Sequence, residues 1–300
     1  VAGLKRVGHT GTLDPAAAGV LPVCLGQATR LAEYLPANFK EYSAELTFGY
    51  ETDTLDAVGV VVRQAPTQHI NLESLRAVLD QFRGTITQTP ALYSAIKQDG
   101  RKLYELARAG VDVDDVAIKT RQVRINELIV TRFVAGERPR AMLRIQCGSG
   151  TYIRSLARDV GRALDSAATM TFLVRTRSGK FTLDEAHSLE EIANDWQSVL
   201  LPMTEALRRC ASLVVTDDEA TQQLSQGRSF TPNFDRAMHH KNDCNDPAWF
   251  ERWPAYAMLR GTSRTERVVF FNTEQTTAVL TSRVLPQYKP EKVFFLDRDS

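Results

Sequence analysis

Three hundred residues, 43% hydrophobic and 24% charged, suffice for one large domain plus a smaller one, with cores that need no staples. No apolar run reaches membrane-spanning length, and no basic-then-apolar leader opens the chain. Cys24, Cys147, Cys210 and Cys244 form no C-x-x-C pair and the five histidines are scattered, so the expectation is reduced thiols in a cytoplasmic protein and no structural zinc. The net charge of +1 says nothing about partners, but its distribution does. Residues 101–180 hold 16 Lys or Arg against 8 Asp or Glu. A positive face there would attract a polyanion, although a solvated, arginine-rich exterior has the same composition.

In chain order, residues 7–28 are rich in Gly and Pro and give way to a short helical pattern over 28–35. Residues 42–49 alternate, with Tyr42, Ala44, Leu46 and Phe48 against Ser43, Glu45 and Thr47, which predicts a strand with one buried face. A polar loop at 52–59 and a short apolar strand at 60–62 follow. Asn71 suits the N-cap of a helix over 71–84, with Leu72, Leu75, Val78, Leu79 and Phe82 at helical spacing. A second helix is predicted over 102–109. Beyond it come β-rich runs at 116–134 and 141–147, a helix over 154–164, and another over 188–200 closed by Leu201-Pro202. From about residue 213 short strands alternate with polar loops; the last strand candidates are 267–271, 276–280 and 293–296, after a low-apolar insertion at 233–247. The domain boundary is expected near residue 211.

The segment Gly8-His9-Thr10-Gly11-Thr12-Leu13-Asp14-Pro15 carries the most chemical information. Its glycines let the backbone turn tightly and approach a ligand. Pro15 biases Asp14 toward an extended conformation and fixes the next φ, so the carboxylate is presented on a stiff loop. A carboxylate held this way serves as nucleophile or as acid/base, and Asp before Pro is equally the start of an ordinary turn. The residues alone leave both readings open.

Further blocks add context. Gly8–Pro22 continues as Pro15-Ala16-Ala17-Ala18-Gly19-Val20-Leu21-Pro22. Lys40-Glu41-Tyr42 is followed by Thr52-Asp53-Thr54-Leu55-Asp56-Ala57-x-Gly59, and Gln88-Thr89-Pro90-x-x-Tyr93-Ser94-Ala95-Ile96-Lys97 by Gly100, Tyr104, Ala107-Arg108 and Gly110. Cys147-Gly148-Ser149-Gly150-Thr151-Tyr152-Ile153-Arg154 and Leu173-x-Arg175-Thr176 complete the set. Together these blocks, in this order over roughly residues 5–182, resemble the TruB-type tRNA pseudouridine-55 synthases. Residues 289–294 resemble the end of that family's small RNA-binding domain of PUA type.

The resemblance implies an isomerase that converts uridine 55 in the T-loop of tRNA to pseudouridine, with no metal and no organic cofactor. Asp14 takes the place of the nucleophile, which attacks C1′ of the ribose or C6 of the base. Arg154 resembles the arginine paired with that aspartate, fixing its direction. Tyr42 resembles the pocket tyrosine that stacks on the flipped base. His9 resembles the residue that helps extract the base, an act that costs a few kcal/mol of unstacking. Leu173 resembles an apolar wall of the uracil pocket, and Tyr152 supports the same pocket. Lys97 and Arg108, among Arg101, Lys102, Tyr93 and Tyr104, suit contact with phosphates and bases of a folded RNA loop.

The implied fold is α/β (α+β): a mixed, largely antiparallel sheet of the pseudouridine synthase type with flanking helices over residues 1–211. A small β-rich, PUA-like RNA-binding domain over 212–300 follows. Expected partners are the tRNA T-arm and no obligatory protein, for a monomeric chain. The family carries roughly 30 residues, including a strand, ahead of the catalytic motif; the chain is expected to lack them, which would leave a sheet edge unpaired. A tRNA-binding folding chaperone, with catalysis secondary or lost with that segment, is the alternative function. A carboxylate glycosidase would instead need a second acid about 5–10 Å from Asp14, with Asp53 and Asp56 as the nearest candidates. His239, His240 and Cys244 are expected to lie in a polar loop.

Overall fold

The structure, a computed structural model, describes residues 3–32, 35, 39–91, 97–98, 101–102, 119–203, 206, 212–215, 222–223, 226, 228, 267–272, 277–284 and 287–295. One compact unit covers Leu4–Ala186 and a second takes in His187–Ser300, a division ahead of the boundary expected near residue 211.

The first unit is built on a seven-stranded sheet. The alternating segment forms β4 (Lys40–Phe48), which lies between β11 (Arg140–Cys147) and β12 (Ala168–Ser178). The long β10 (Arg121–Val134) pairs with β11 on one side and β7 (Gly84–Gln88) on the other, and β13 (Phe181–Thr182) closes the opposite edge. All these pairings are antiparallel. The exception is the two-residue β2 (Ala18–Gly19), which adds in parallel to β12. Alternation on β4 turns Tyr42, Ala44, Leu46 and Phe48 to one face, where they join Leu143 and Ile145 of β11 and Ile125 and Leu128 of β10 in one core.

Two helices cover that face. Helix α1 (Leu72–Leu79) is capped by Asn71, whose side chain accepts from the amides of Glu73 and Ser74 at 2.9 Å each. It buries Leu75 and Leu79. The predicted helix to residue 84 is therefore one turn too long: a 3-10 turn at Asp80–Phe82 intervenes, and Gly84 (φ 83°) redirects the chain into β7. Helix α2 (Ile153–Ala163) lies against β12 and buries Leu156, Ala157 and Val160. Gly161 permits this approach, because a Cβ there would stand 2.4 Å from the Ala168 nitrogen.

Outside the sheet, β1 (Val7–His9) and β3 (Val23–Leu25) form an antiparallel hairpin. The hairpin of β5 (Tyr50–Thr52) and β6 (Val61–Gln64) leaves Val61 and Val62 exposed. Residues 28–35, expected as helix, contribute to a 3-10 turn at Gly26–Leu31. The helix expected over 102–109 falls largely outside the described residues. Lys102 itself stands in β9 (Arg101–Lys102), paired with β8 (Lys97–Gln98).

In the second unit the helix expected over 188–200 is only α3 (Leu189–Asn194), capped by Ser188. Asp195 leaves helical geometry and its carboxylate accepts from the amides of Gln197 and Ser198, diverting the chain into a turn. Four strands, β14 (Ser212–Val215), β15 (Arg267–Asn272), β16 (Thr277–Val284) and β17 (Gln287–Phe295), form a small sheet in that order. The first pair is parallel and the others antiparallel. The insertion at 233–247, with His239, His240 and Cys244, lies outside the described residues.

Candidate active site

The β1–β3 hairpin closes the neck of the loop that carries Asp14, pairing His9 with Val23 and the Thr10 amide with the Pro22 carbonyl. Within the loop, the Ala17 amide donates to the Asp14 carbonyl at 2.9 Å, so Asp14-Pro15-Ala16-Ala17 is a β-turn. The turn reading of Asp-Pro is therefore observed, and a turn of this kind leaves a chemical role for the carboxylate open. Beyond it, β2 docks on β12, and the Val20 amide donates to the Arg175 carbonyl at 2.8 Å. Gly19 (φ 108°) is required there, since a Cβ would lie 2.2 Å from that carbonyl oxygen.

Arg154 meets this loop from the first turn of α2. Its Nε and Nη2 donate to Asp14 Oδ2 and Oδ1 at 3.0 Å each, a bidentate fork. The arginine side chain is 7% exposed, whereas Asp14 keeps 33% exposure. The far end of the guanidinium is held too: Nη1 donates to the Thr54 carbonyl at 2.9 Å and faces Asp56 Oδ2 at 3.5 Å. Asp56 is itself fixed by Thr54 Oγ1 at 2.6 Å and by the Val58 amide. Leu55, at φ 62°, accepts the strain of the turn that aims both groups. Gly59 packs where a Cβ would fall 2.3 Å from Thr54 Oγ1. A further clamp sets the start of α2: buried Gln88 accepts from the Tyr152 amide at 2.8 Å and donates to its carbonyl at 3.0 Å.

Arg175 is fully buried on β12. Its charge is matched by loop carbonyls: Nε donates to Val20, Nη1 to Thr12 and Nη2 to Gly11, at 2.7, 3.3 and 3.1 Å. It therefore stitches both ends of the Asp14 loop to the sheet. Tyr42 is its cross-strand neighbour on β4. Burial above all pushes the Tyr42 hydroxyl up to about 12, with the Cys147 thiol acting in the same direction and Arg175 opposing it. Leu173, in phase with Arg175 on β12, is buried beside Ala44.

The structure thus gathers Asp14, Arg154 and Tyr42 with Leu173 at the β4–β12 side of the sheet. Tyr152 stands at the N-cap of α2 with the Arg121 guanidinium 5.3 Å from its ring centre. Burial raises its hydroxyl pKa, and the Asp14 charge adds to that. His9 is exposed at the loop neck, its Nδ1 accepting from the Gly11 amide at 3.3 Å. Of Lys97 only the strand placement is described, and Arg108 lies outside the described residues. Asp53 and Asp56, the acids a glycosidase would need, are committed elsewhere. Asp53 accepts from the Thr54 and Val60 amides, and Asp56 braces Arg154 from behind. Sequence reasoning named Asp56 only as a candidate second acid, not as a brace for Arg154, and gave Arg175 no role. An arginine in phase with a core leucine on a sheet-interior strand was the available signal for Arg175, because such a cation must find partners.

A sheet of this order, with a carboxylate on a hairpin loop locked to a buried arginine, has the pseudouridine synthase fold. Solved structures agree. The chain matches a Cbf5-Nop10-Gar1 complex with TM-score 0.66 at 22% identity, over 97% of this chain and 77% of that one. It also matches an H/ACA RNP bound to a substrate RNA containing 2'-deoxyuridine, with TM-score 0.63 at 22% identity, over 99% and 78%. Residues 1–153 match the family model of the TruB family pseudouridylate synthase N-terminal domain, and residues 154–211 that of the tRNA pseudouridylate synthase B C-terminal domain. A tRNA pseudouridine synthase B of Symbiobacterium thermophilum is 46% identical over 74% of this chain and 73% of its own length. One of Caldanaerobacter subterraneus is 47% identical over 63% and 65%, so the chain spans just under two thirds of that relative. The chain belongs to the TruB family of pseudouridylate synthases.

Proposed function

We propose that this chain isomerises uridine 55 in the T-loop of tRNA to pseudouridine, with Asp14 as the nucleophile. The observation that carries this reading is the bidentate Arg154–Asp14 pair, braced by Asp56, in a chain of this family. A carboxylate so held, still partly exposed, is pre-aligned for attack. Tyr42 offers a buried aromatic face for the base and Leu173 an apolar wall, while His9, exposed at the loop neck, would help to extract the base. Asp14 bonds to C1′ or C6, the C1′–N1 bond breaks, the base turns, C5 bonds to C1′ and the bond to Asp14 breaks, and the C5 proton leaves while N1 takes up a proton. Release of that proton gives the test. Unmodified tRNA transcript labelled with tritium at C5 of uridine is incubated with the protein, and the expected outcome is tritium release that maps to position 55 and vanishes with Asp14→Asn. Undiminished release from Asp14→Asn would overturn the assignment.

A further inference from the structure

The cations around Asp14 are not equally balanced. Arg154 lies between two carboxylates, Asp14 and Asp56. Arg175 is held by neutral carbonyls. The side chain of Lys40, at the start of β4, makes no hydrogen bond or ion pair with any described residue, although its backbone lies between β11 and β12. Its ammonium sits under the Asp14 loop: Nζ is 3.0 Å from the point a Cβ on Gly11 would occupy, and Arg175 Nη1 is 4.0 Å from the same point. Burial pulls the Lys40 pKa below the ordinary lysine value, and the Arg175 charge acts in the same direction. A half-buried ammonium beside a second cation, with no carboxylate partner among the described residues, is costly until an anion arrives.

Lys40 shares the β4 face with Tyr42, two residues along, at a backbone spacing of about 7 Å. We propose that Lys40 is a catalytic residue of the isomerisation, the cation that neutralises the uracil ring while it is detached from the ribose. This rests on the pseudouridine synthase reading above. When the Asp14 oxygen bonds to C1′, the C1′–N1 bond breaks and its electron pair stays on the ring, which becomes a monoanion with charge spread over O2 and O4. Formation of the C5–C1′ bond then consumes that charge and returns the carboxylate to Asp14. Attack at C6 also places negative charge on the ring. In either case the ammonium meets charge that exists only part-way through the reaction, so its effect falls on turnover rather than on binding.

The test is Lys40→Met in single-turnover tritium release, with tRNA affinity measured alongside at several salt concentrations. The expected result is a fall of about 10² in kcat, with affinity within about twofold of the parent and an unchanged salt slope. Lys40→Gln serves in the same assay if the Met variant melts early. Lys40→Arg keeps a charge that does not titrate, so its activity persists to higher pH than the parent's. Arg175 and Cys147 stand beside Lys40, with Tyr42 two residues along β4; burial pushes the Cys147 thiol up to about 11 and the Tyr42 hydroxyl up to about 12, so both stay protonated below those values. A kcat within about threefold of the parent would sink the proposal, as would weakened binding and a shallower salt slope at intact kcat, the behaviour of a phosphate contact. Absence of release from the parent chain itself would instead strike the pseudouridine synthase reading.

Discussion

Replacing Arg154 with lysine keeps the charge and removes the fork. The guanidinium makes two bonds of 3.0 Å to Asp14 and one of 2.9 Å to the Thr54 carbonyl, and faces Asp56 at 3.5 Å. An ammonium is one atom on a shorter reach and cannot serve both sides. If it stays with Asp14, the Asp56 carboxylate, 8% exposed, and the Thr54 carbonyl lose their partner. Each lost hydrogen bond to a charged group costs about 1.5–3 kcal/mol, so the folded state should lose on the order of 3 kcal/mol. Asp14 meanwhile keeps one contact in place of two, and a displacement of about 1 Å of a reacting group costs about 10² in rate. Single-turnover tritium release at saturating tRNA should therefore fall by about 10²–10³ for Arg154→Lys. Arg132→Lys, an exposed position on β10, should leave it unchanged. Turnover by Arg154→Lys within about threefold of the parent would refute the view that the planar fork aligns Asp14.

Two further outcomes concern the scaffold. Gly19→Ala places a Cβ 2.2 Å from the Arg175 carbonyl at φ 108°, so β2 must lift from β12; a loss of about 2–3 kcal/mol in denaturant unfolding is expected, with activity falling further because the Asp14 loop moves. Stability should also fall at alkaline pH. Tyr42 and Cys147 are raised in the folded state, to about 12 and about 11, so the unfolded chain loses these protons first. Their contribution is complete below the unfolded values and is lost as pH rises from about 9–10 toward the folded ones, by about 1.4 kcal/mol per pH unit for each. Tyr42→Phe should remove its share of that slope in unfolding curves taken between pH 9 and 12.

The elements legible in the chain were those whose side chains repeat with a clear period. Tyr42, Ala44, Leu46 and Phe48 marked β4 because one face is buried and the other is not. Leu156 and Val160 marked α2 by the same logic at helical spacing. Ends were less legible, since they depend on single capping contacts. Asp195 can continue a helix or close one, and only its bonds to the Gln197 and Ser198 amides decide which. The Asp14 loop has no periodicity at all; its residue types left a turn and a chemical role both open, and the resemblance of the ordered blocks singled it out.

By itself the sequence determined which groups are present: a carboxylate on a glycine-rich loop stiffened by proline, and an arginine at the start of a helix. Those are local properties, set by backbone freedom and by neighbours in the chain. Only the tertiary structure decided that these two groups, 140 residues apart, form one bidentate pair. It likewise decided that Asp56 supports Arg154 rather than acting opposite Asp14, and that Arg175 belongs to the site. The reason is that a buried charge takes its meaning from the partners that compensate it. Here those partners come from strands, a helix and a loop that meet only when the sheet forms.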